Sequence, residues 1–189
     1  MWGLVGVALW CQAQTVVAQQ REDVRGAEEL WNAGERSAAI DAWSAQLTER
    51  PTDNALRRRL AEAELAVHRY AAALKRAEGL GAELELLRGT ALFRLGEFER
   101  ALEKLGRADA VSLLMRIDCL ESLARFVEAD AEITLLAQTV GERDAALNVL
   151  RGRSAARRGD TSVAEACFRR ALEVDPLEPA AMHGLGTSL

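Results

Sequence analysis

Small and large apolar positions recur along this chain in a fixed order. Ala39, Ala101 and Ala164 are each followed four residues on by a large apolar side chain, Trp43, Leu105 and Phe168. Residues four apart share one face of a helix, so each string predicts a helix with a packed face. Five residues before each alanine stands a glycine, in the breaks Asn32-Ala33-Gly34-Glu35, Arg94-Leu95-Gly96-Glu97 and Arg157-Arg158-Gly159-Asp160. A glycine between helical stretches predicts a helix end, where it takes the left-handed conformation at low cost. Seven residues before two of these glycines lies another, Gly89 and Gly152. Two antiparallel helices approach closely only where the facing residues are small, so Gly152 is expected against Ala164 inside a helix pair. Trp43, Leu105 and Phe168 are expected to fill the gap to the next helix.

The breaks are 62 and 63 residues apart, and Gly152 and Gly186 are separated by 34. Thirty-four is the period of a helix-turn-helix repeat, and the longer intervals correspond to two units, one of them shortened. At this point the residues resemble the tetratricopeptide repeat family, whose pattern has a small residue at position 8, Gly at 15, an aromatic at 17, Ala at 20, an aromatic at 24, Ala at 27 and Pro at 32. The stretch from Ala145 to Glu178 carries Gly152, Gly159, Ala164, Phe168, Ala171, Leu172, Asp175 and Pro176. With Gly34 at position 15, Ala39 falls at 20, Trp43 at 24 and Pro51 at 32.

Extending this register gives repeats starting near residues 20, 54, 82, 110 and 145, with a partial sixth from Pro179, whose ring suits a first helical turn. Position 20 is alanine throughout, at Ala39, Ala73, Ala101, Ala129 and Ala164. Position 17 holds Tyr70, Phe98 and Phe126 but departs at Arg36 and Thr161. The repeats at Asn54 and Ala82 are about six residues short and lack the Asp-Pro turn. The resemblance implies an all-α fold over residues 19–189, a right-handed superhelical solenoid of antiparallel helix pairs. A single pair cannot bury both faces, so stacked pairs share one core.

Composition agrees with helix: aromatics are 5% of 189 residues and prolines number 3, whereas Ala, Leu, Glu and Arg dominate. A net charge of −5 argues against a nucleic-acid partner, whose phosphates need clustered Lys and Arg. Arg57-Arg58-Arg59 makes no basic stripe, because consecutive helical residues point about 100° apart. Cys119 and Cys167 sit in apolar helical patterns as small core residues, and no cysteine pair has metal-ligand spacing. His68 falls at position 15, in a turn. No nucleophile elbow, His-Glu-x-x-His, phosphate-binding loop or dinucleotide fingerprint occurs, so the reading is of a non-enzyme without cofactor or metal.

Residues 1–20 contain no Asp, Glu, Lys or Arg, and Trp2 to Trp10 is apolar. This is the pattern of a secretory signal, with cleavage expected near residue 18, after Val16-Val17-Ala18, and an exported, periplasmic or cell-envelope location. A retained anchor, a lipid on Cys11 and a cytoplasmic location with this stretch as a first buried helix are the competing readings. No other membrane span is expected.

The family resemblance further implies a concave face lined by the first helix of each pair, which holds an extended peptide or a partner helix. Mapped onto this chain, that face carries Arg58, Glu62, Thr90, Phe93, Arg94, Asp118, Glu121, Arg153 and Arg157, together with Leu86, Leu114 and His183. Arginine suits such a groove because its planar fork takes a carboxylate bidentately, and Phe93 offers an apolar anchor. Arg58 and Glu62 could equally pair with each other at i,i+4. The lysine and asparagine clamp of chaperone-tail binders is not matched. The expected function is a non-catalytic scaffold for a protein or peptide partner. The alternative is a helical module of a longer enzyme or secretion component. An unfinished sixth repeat would then leave an apolar face open to self-association.

Overall fold

The computed structural model describes residues 26–188, which are helical between turns and contain no strand. The charge-free leader, Cys11 and the start of the first repeat near Gln20 lie outside them. The chain divides into two compact units, one through Ala82 and one from Glu83. No described helix is long and apolar enough to cross a membrane.

In the first unit, α1 (residues 26–32), α2 (Arg36–Glu49), α3 (Asn54–Ala66) and α4 (Tyr70–Ala77) follow in order. Ala39, Ile40 and Trp43 of α2 are buried with Leu56, Leu60 and Ala63 of α3 in one core. Asp53 starts α3 by accepting the Leu56 amide at 3.0 Å, satisfying a donor that the helix leaves unpaired. Arg59 reaches back to Glu28 with two hydrogen bonds, of 2.7 and 3.0 Å, and lies over the rings of Trp31 and Trp43. The three consecutive arginines thus serve three purposes: Arg57 binds carbonyls of α4, Arg58 pairs with Glu62, and Arg59 closes the tryptophan core.

The second unit is entered through a 3₁₀ turn, Ala82–Leu84. It contains α5 (Glu85–Arg94), α6 (Phe98–Lys104), α7 (Ala110–Ser122), α8 (Phe126–Val140), α9 (Ala145–Arg157), α10 (Thr161–Val174) and α11 (Pro179–Ser188). Asp109, Asp144 and Asp160 cap α7, α9 and α10, each accepting the amide three residues on. Leu113, Ile117 and Leu120 of α7 pack with Ile133 and Leu136 of α8 and with Leu147 and Leu150 of α9. Ala155, Ala164, Phe168 and Ala181 form a second cluster towards α11.

Glycine admits large side chains here. A Cβ on Gly152 would lie 2.6 Å from the ring of Phe168, so the glycine makes room for Phe168. Gly89 stands in the same relation to Leu105, also at 2.6 Å. Phe168 also meets Gly184 of α11, and so does fill the gap to the following helix.

One turn joins the helices of every pair. Gly34, His68, Gly96, Ala124 and Gly159 all have positive φ, between 56° and 86°. The residue after each donates its amide to a carbonyl five residues back, as Arg69 does to Glu64 at 2.8 Å and Arg125 to Leu120 at 2.8 Å. Such a turn satisfies carbonyls at the end of the first helix. The shortening of two repeats falls on their second helices, α4 with 8 residues and α6 with 7, against 14 to 15 in α2, α8 and α10. In both short helices an arginine takes the terminal carbonyls. Arg57 donates to Arg76 and Glu78, and Arg116 donates to Leu102 and Leu105. Arg116 is buried and also donates to Glu132 Oε1, the same oxygen that accepts from Arg107.

Candidate functional site

The second unit carries a concave surface, a trough of two adjoining cavities, about 690 and 400 Å³, that share Glu121, Ser122 and Arg153. Most of its lining comes from the first helices of successive pairs, α5, α7, α9 and α11, with Phe98, Phe126 and Phe168 added from second helices. Side chains three or four apart on such helices face the same way, which places Asp118 with Glu121 and Arg153 with Arg157.

At its centre a single carboxylate holds two guanidinium groups. Arg157 donates to Glu121 Oε1 at 2.6 Å, and Arg153 donates to Oε2. Only 9% of the Glu121 side chain is exposed, against 46% for Arg153 and 25% for Arg157, so the carboxylate is the floor and the arginines are the rim. Arg157 also lies 4.9 Å over the ring of Phe126. At one end, Arg94 lies over Phe93, whose ring is 6.0 Å from that of Phe98. At the other end the floor is made of the small residues Ala156, Ala180 and Gly184, beside His183 and Thr187. Burial pushes the Asp118 carboxyl above the ordinary carboxylate range; Arg153 pulls it down, and Glu121 adds to the upward push.

Of the residues expected on a concave face, the trough gathers Phe93, Arg94, Asp118, Glu121, Arg153, Arg157 and His183. Thr90 instead donates to the Leu86 carbonyl at 2.7 Å, and Leu114 packs on the core. Arg58 and Glu62 belong to the first unit and pair with each other at 3.2 Å. Ser122, Phe126, Phe98 and Thr187 line the trough without having been anticipated there. Phe98 and Phe126 carried a signal, as aromatics at the first residue of a second helix.

Chemistry elsewhere is sparse. Ser154 donates to Asp130, and Arg158 binds both, beside buried Cys167 in a cavity of about 300 Å³. No imidazole lines that cavity. Cys119 is free and buried, and burial, the largest cause, pushes its thiol up to about 11, where it is not a nucleophile at neutral pH. His68 is exposed, with its Nδ1 2.7 Å from the Tyr70 hydroxyl. No group of three or more His, Cys, Asp or Glu among the described residues could hold a metal.

Residues 149–189 match the tetratricopeptide repeat family model. Over that stretch the chain is similar to tetratricopeptide repeats. Its all-α fold is that of solved tetratricopeptide solenoids, in which antiparallel helix pairs stack into a right-handed superhelix. YrrB, described as a TPR protein with an unusual peptide-binding site, is 18% identical over 93% of this chain and 97% of its own, with a TM-score of 0.73. PilF of Pseudomonas aeruginosa is 15% identical over 97% of this chain and 93% of its own, at 0.67. MamA of Desulfovibrio magneticus RS-1 is 12% identical over 85% and 97%, at 0.73. No curated protein matches the sequence. At these identities the likeness is one of fold, and the tetratricopeptide architecture accounts for the trough's position on the first helices.

Proposed function

We propose that this protein is a non-catalytic scaffold whose second unit holds an extended segment of a partner protein. The observation that carries this reading is the trough itself, two adjoining cavities joined through Glu121 and Arg153 and edged by Phe93, Phe98 and Phe126. Aromatic and arginine side chains around a partly desolvated cleft are the groups that dominate binding energy at protein interfaces. The peptide-binding site named for YrrB, on the same fold, supports it.

The test is a cross-linked pull-down from the native host, comparing the full chain with the double variant Arg153→Glu, Arg157→Glu after far-ultraviolet circular dichroism has shown equal helicity. Loss of a partner from the double variant alone supports docking in the trough. An unchanged set of partners overturns it.

An exported location is part of the proposal, supported by the absence of charge from residues 1–20. Fusion of those residues to a reporter active only outside the cytoplasm tests it. Exposed Val174, Leu177 and Met182 support a second contact, self-association through α10 and α11, which sedimentation at rising concentration would reveal.

A further inference from the structure

Charge in the trough is uneven. Three guanidinium groups, Arg94, Arg153 and Arg157, face two carboxylates, Asp118 and Glu121. Arg153 and Arg157 share one of those carboxylates, so the cluster retains a net positive charge with Glu121 ionised. Arg94 has no carboxylate within 4 Å among the described residues and lies over the ring of Phe93. A guanidinium stacked on a ring keeps the edges of its fork open to a carboxylate. The two stacked arginines each have an aromatic neighbour, Phe93 for Arg94 and Phe126 for Arg157. A side chain that satisfies such a pair is acidic, with an apolar neighbour in the same segment.

Glu121 gives this arrangement a second property. Its carboxylate already occupies both rim arginines from within the chain, at 2.6 Å from Arg157. An incoming carboxylate at those arginines competes with it directly, because both would use the same donors.

Building on the docking role proposed above, we infer that the trough binds an extended segment in which acidic and apolar side chains are interspersed. Glu121 acts as an internal competitor that weakens this binding. Arg94 takes an acidic side chain without displacing anything, whereas Arg153 and Arg157 take one only as Glu121 gives way.

Fluorescence anisotropy of the full chain with a labelled, amidated peptide, Glu-Phe-Glu-Leu-Glu-Phe-Glu, tests this. Its counterparts carry Gln or Lys at every Glu position, and a further form has a free carboxy-terminus. The acidic peptide is expected to bind at least about tenfold more tightly than the Gln form, with an affinity that falls as salt rises, and the Lys form not to bind. Glu121→Gln is expected to tighten the acidic peptide about fivefold or more, and Arg94→Gln to weaken it by a similar factor. Arg94 makes no ion pair among the described residues, so its variant reports on the trough even if Glu121→Gln disturbs folding. Equal binding of the Glu and Gln peptides overturns the acidic preference and leaves the docking role standing, whereas failure of every peptide to bind overturns both. Binding confined to the free-terminus form overturns the side-chain source of the carboxylate. An unchanged or weaker affinity in folded Glu121→Gln overturns the competitor role.

Discussion

The ring of Phe168 occupies the space that a Cβ on Gly152 would fill, 2.6 Å from its Cε1 atom, and Gly184 closes on the same ring. The chain gives up side chains on α9 and α11 to seat one phenylalanine from α10. Gly152→Ala tests this relationship cleanly, because in an unconstrained helix alanine is better than glycine by about 0.8–1.0 kcal/mol. Overpacking a filled core costs about 1–3 kcal/mol, so against that gain a net loss of up to about 2 kcal/mol is expected in urea denaturation. In a Phe168→Leu background the same substitution should become neutral or stabilising. An equal loss in both backgrounds would refute the contact as the cause.

The five intra-pair turns are alike in hydrogen bonding but not in residue type. Ala124 at φ 56° and His68 at φ 63° adopt the conformation that glycine holds in the other three. A left-handed backbone costs a residue with a Cβ roughly 1–2 kcal/mol. Part of this gain is lost to the extra freedom of glycine in the unfolded chain. Ala124→Gly and His68→Gly are therefore each expected to raise stability by about 0.5–1 kcal/mol, and Gly159→Ala to lower it by about 1 kcal/mol. Matched thermal and urea unfolding curves measure all three.

The turns were legible in the sequence at Gly34, Gly96 and Gly159 because glycine advertises a positive φ. Ala124 was opaque for the converse reason: the hydrogen bonds impose that conformation on a residue that does not prefer it. Gly152 and Phe168 were both marked by the repeat, but spacing alone does not say which small residue meets which large one. That depends on how far one helix slides along the next. The shared face of Arg153 and Arg157 followed from helical geometry. Their joint hold on Glu121, 32 and 36 residues earlier, did not, although a signal existed. Glu121 stands at position 12 of one repeat, and the arginines at positions 9 and 13 of the next. Opposite charges at neighbouring register positions of successive first helices are the pattern to search for.

Arg116 and Glu132 form a buried pair, with side chains 9% and 5% exposed and Arg116 Nη2 2.7 Å from Glu132 Oε1. Removing one partner of such a pair strands the other, at a cost of about 3–5 kcal/mol. Glu132→Gln should lose about that much at pH 7. Burial pushes the Glu132 carboxyl up, but hydrogen bonds from Arg116 and Arg107 outweigh it and hold the group below its ordinary value. A depressed carboxylate contributes stability that is present above the unfolded value and lost as pH falls through the folded one. The difference between wild type and Glu132→Gln should therefore stay constant down to the ordinary carboxylate range and narrow below it. Urea midpoints taken from pH 7 downwards test this, and a gap that widens with acid would sink the assignment.

Arginine capping of the shortened helices leads to the last prediction. α4 stops after 8 residues, and Arg57 Nη2 donates to the carbonyls of Arg76 at 3.3 Å and Glu78 at 2.6 Å at its end. Terminal carbonyls have no partner within their own helix, and a hydrogen bond to a charged group contributes about 1.5–3 kcal/mol. Arg57 is half-buried, so Arg57→Ala is expected towards the lower end, a loss of about 1–2 kcal/mol with faster amide exchange concentrated in α4. The neighbouring Arg58 makes an exposed pair with Glu62, and Arg58→Ala should cost no more than about 0.5 kcal/mol and leave α4 protected. If the two substitutions prove equal in both stability and exchange, the short helix ends without help from Arg57, and the six missing residues need another compensation.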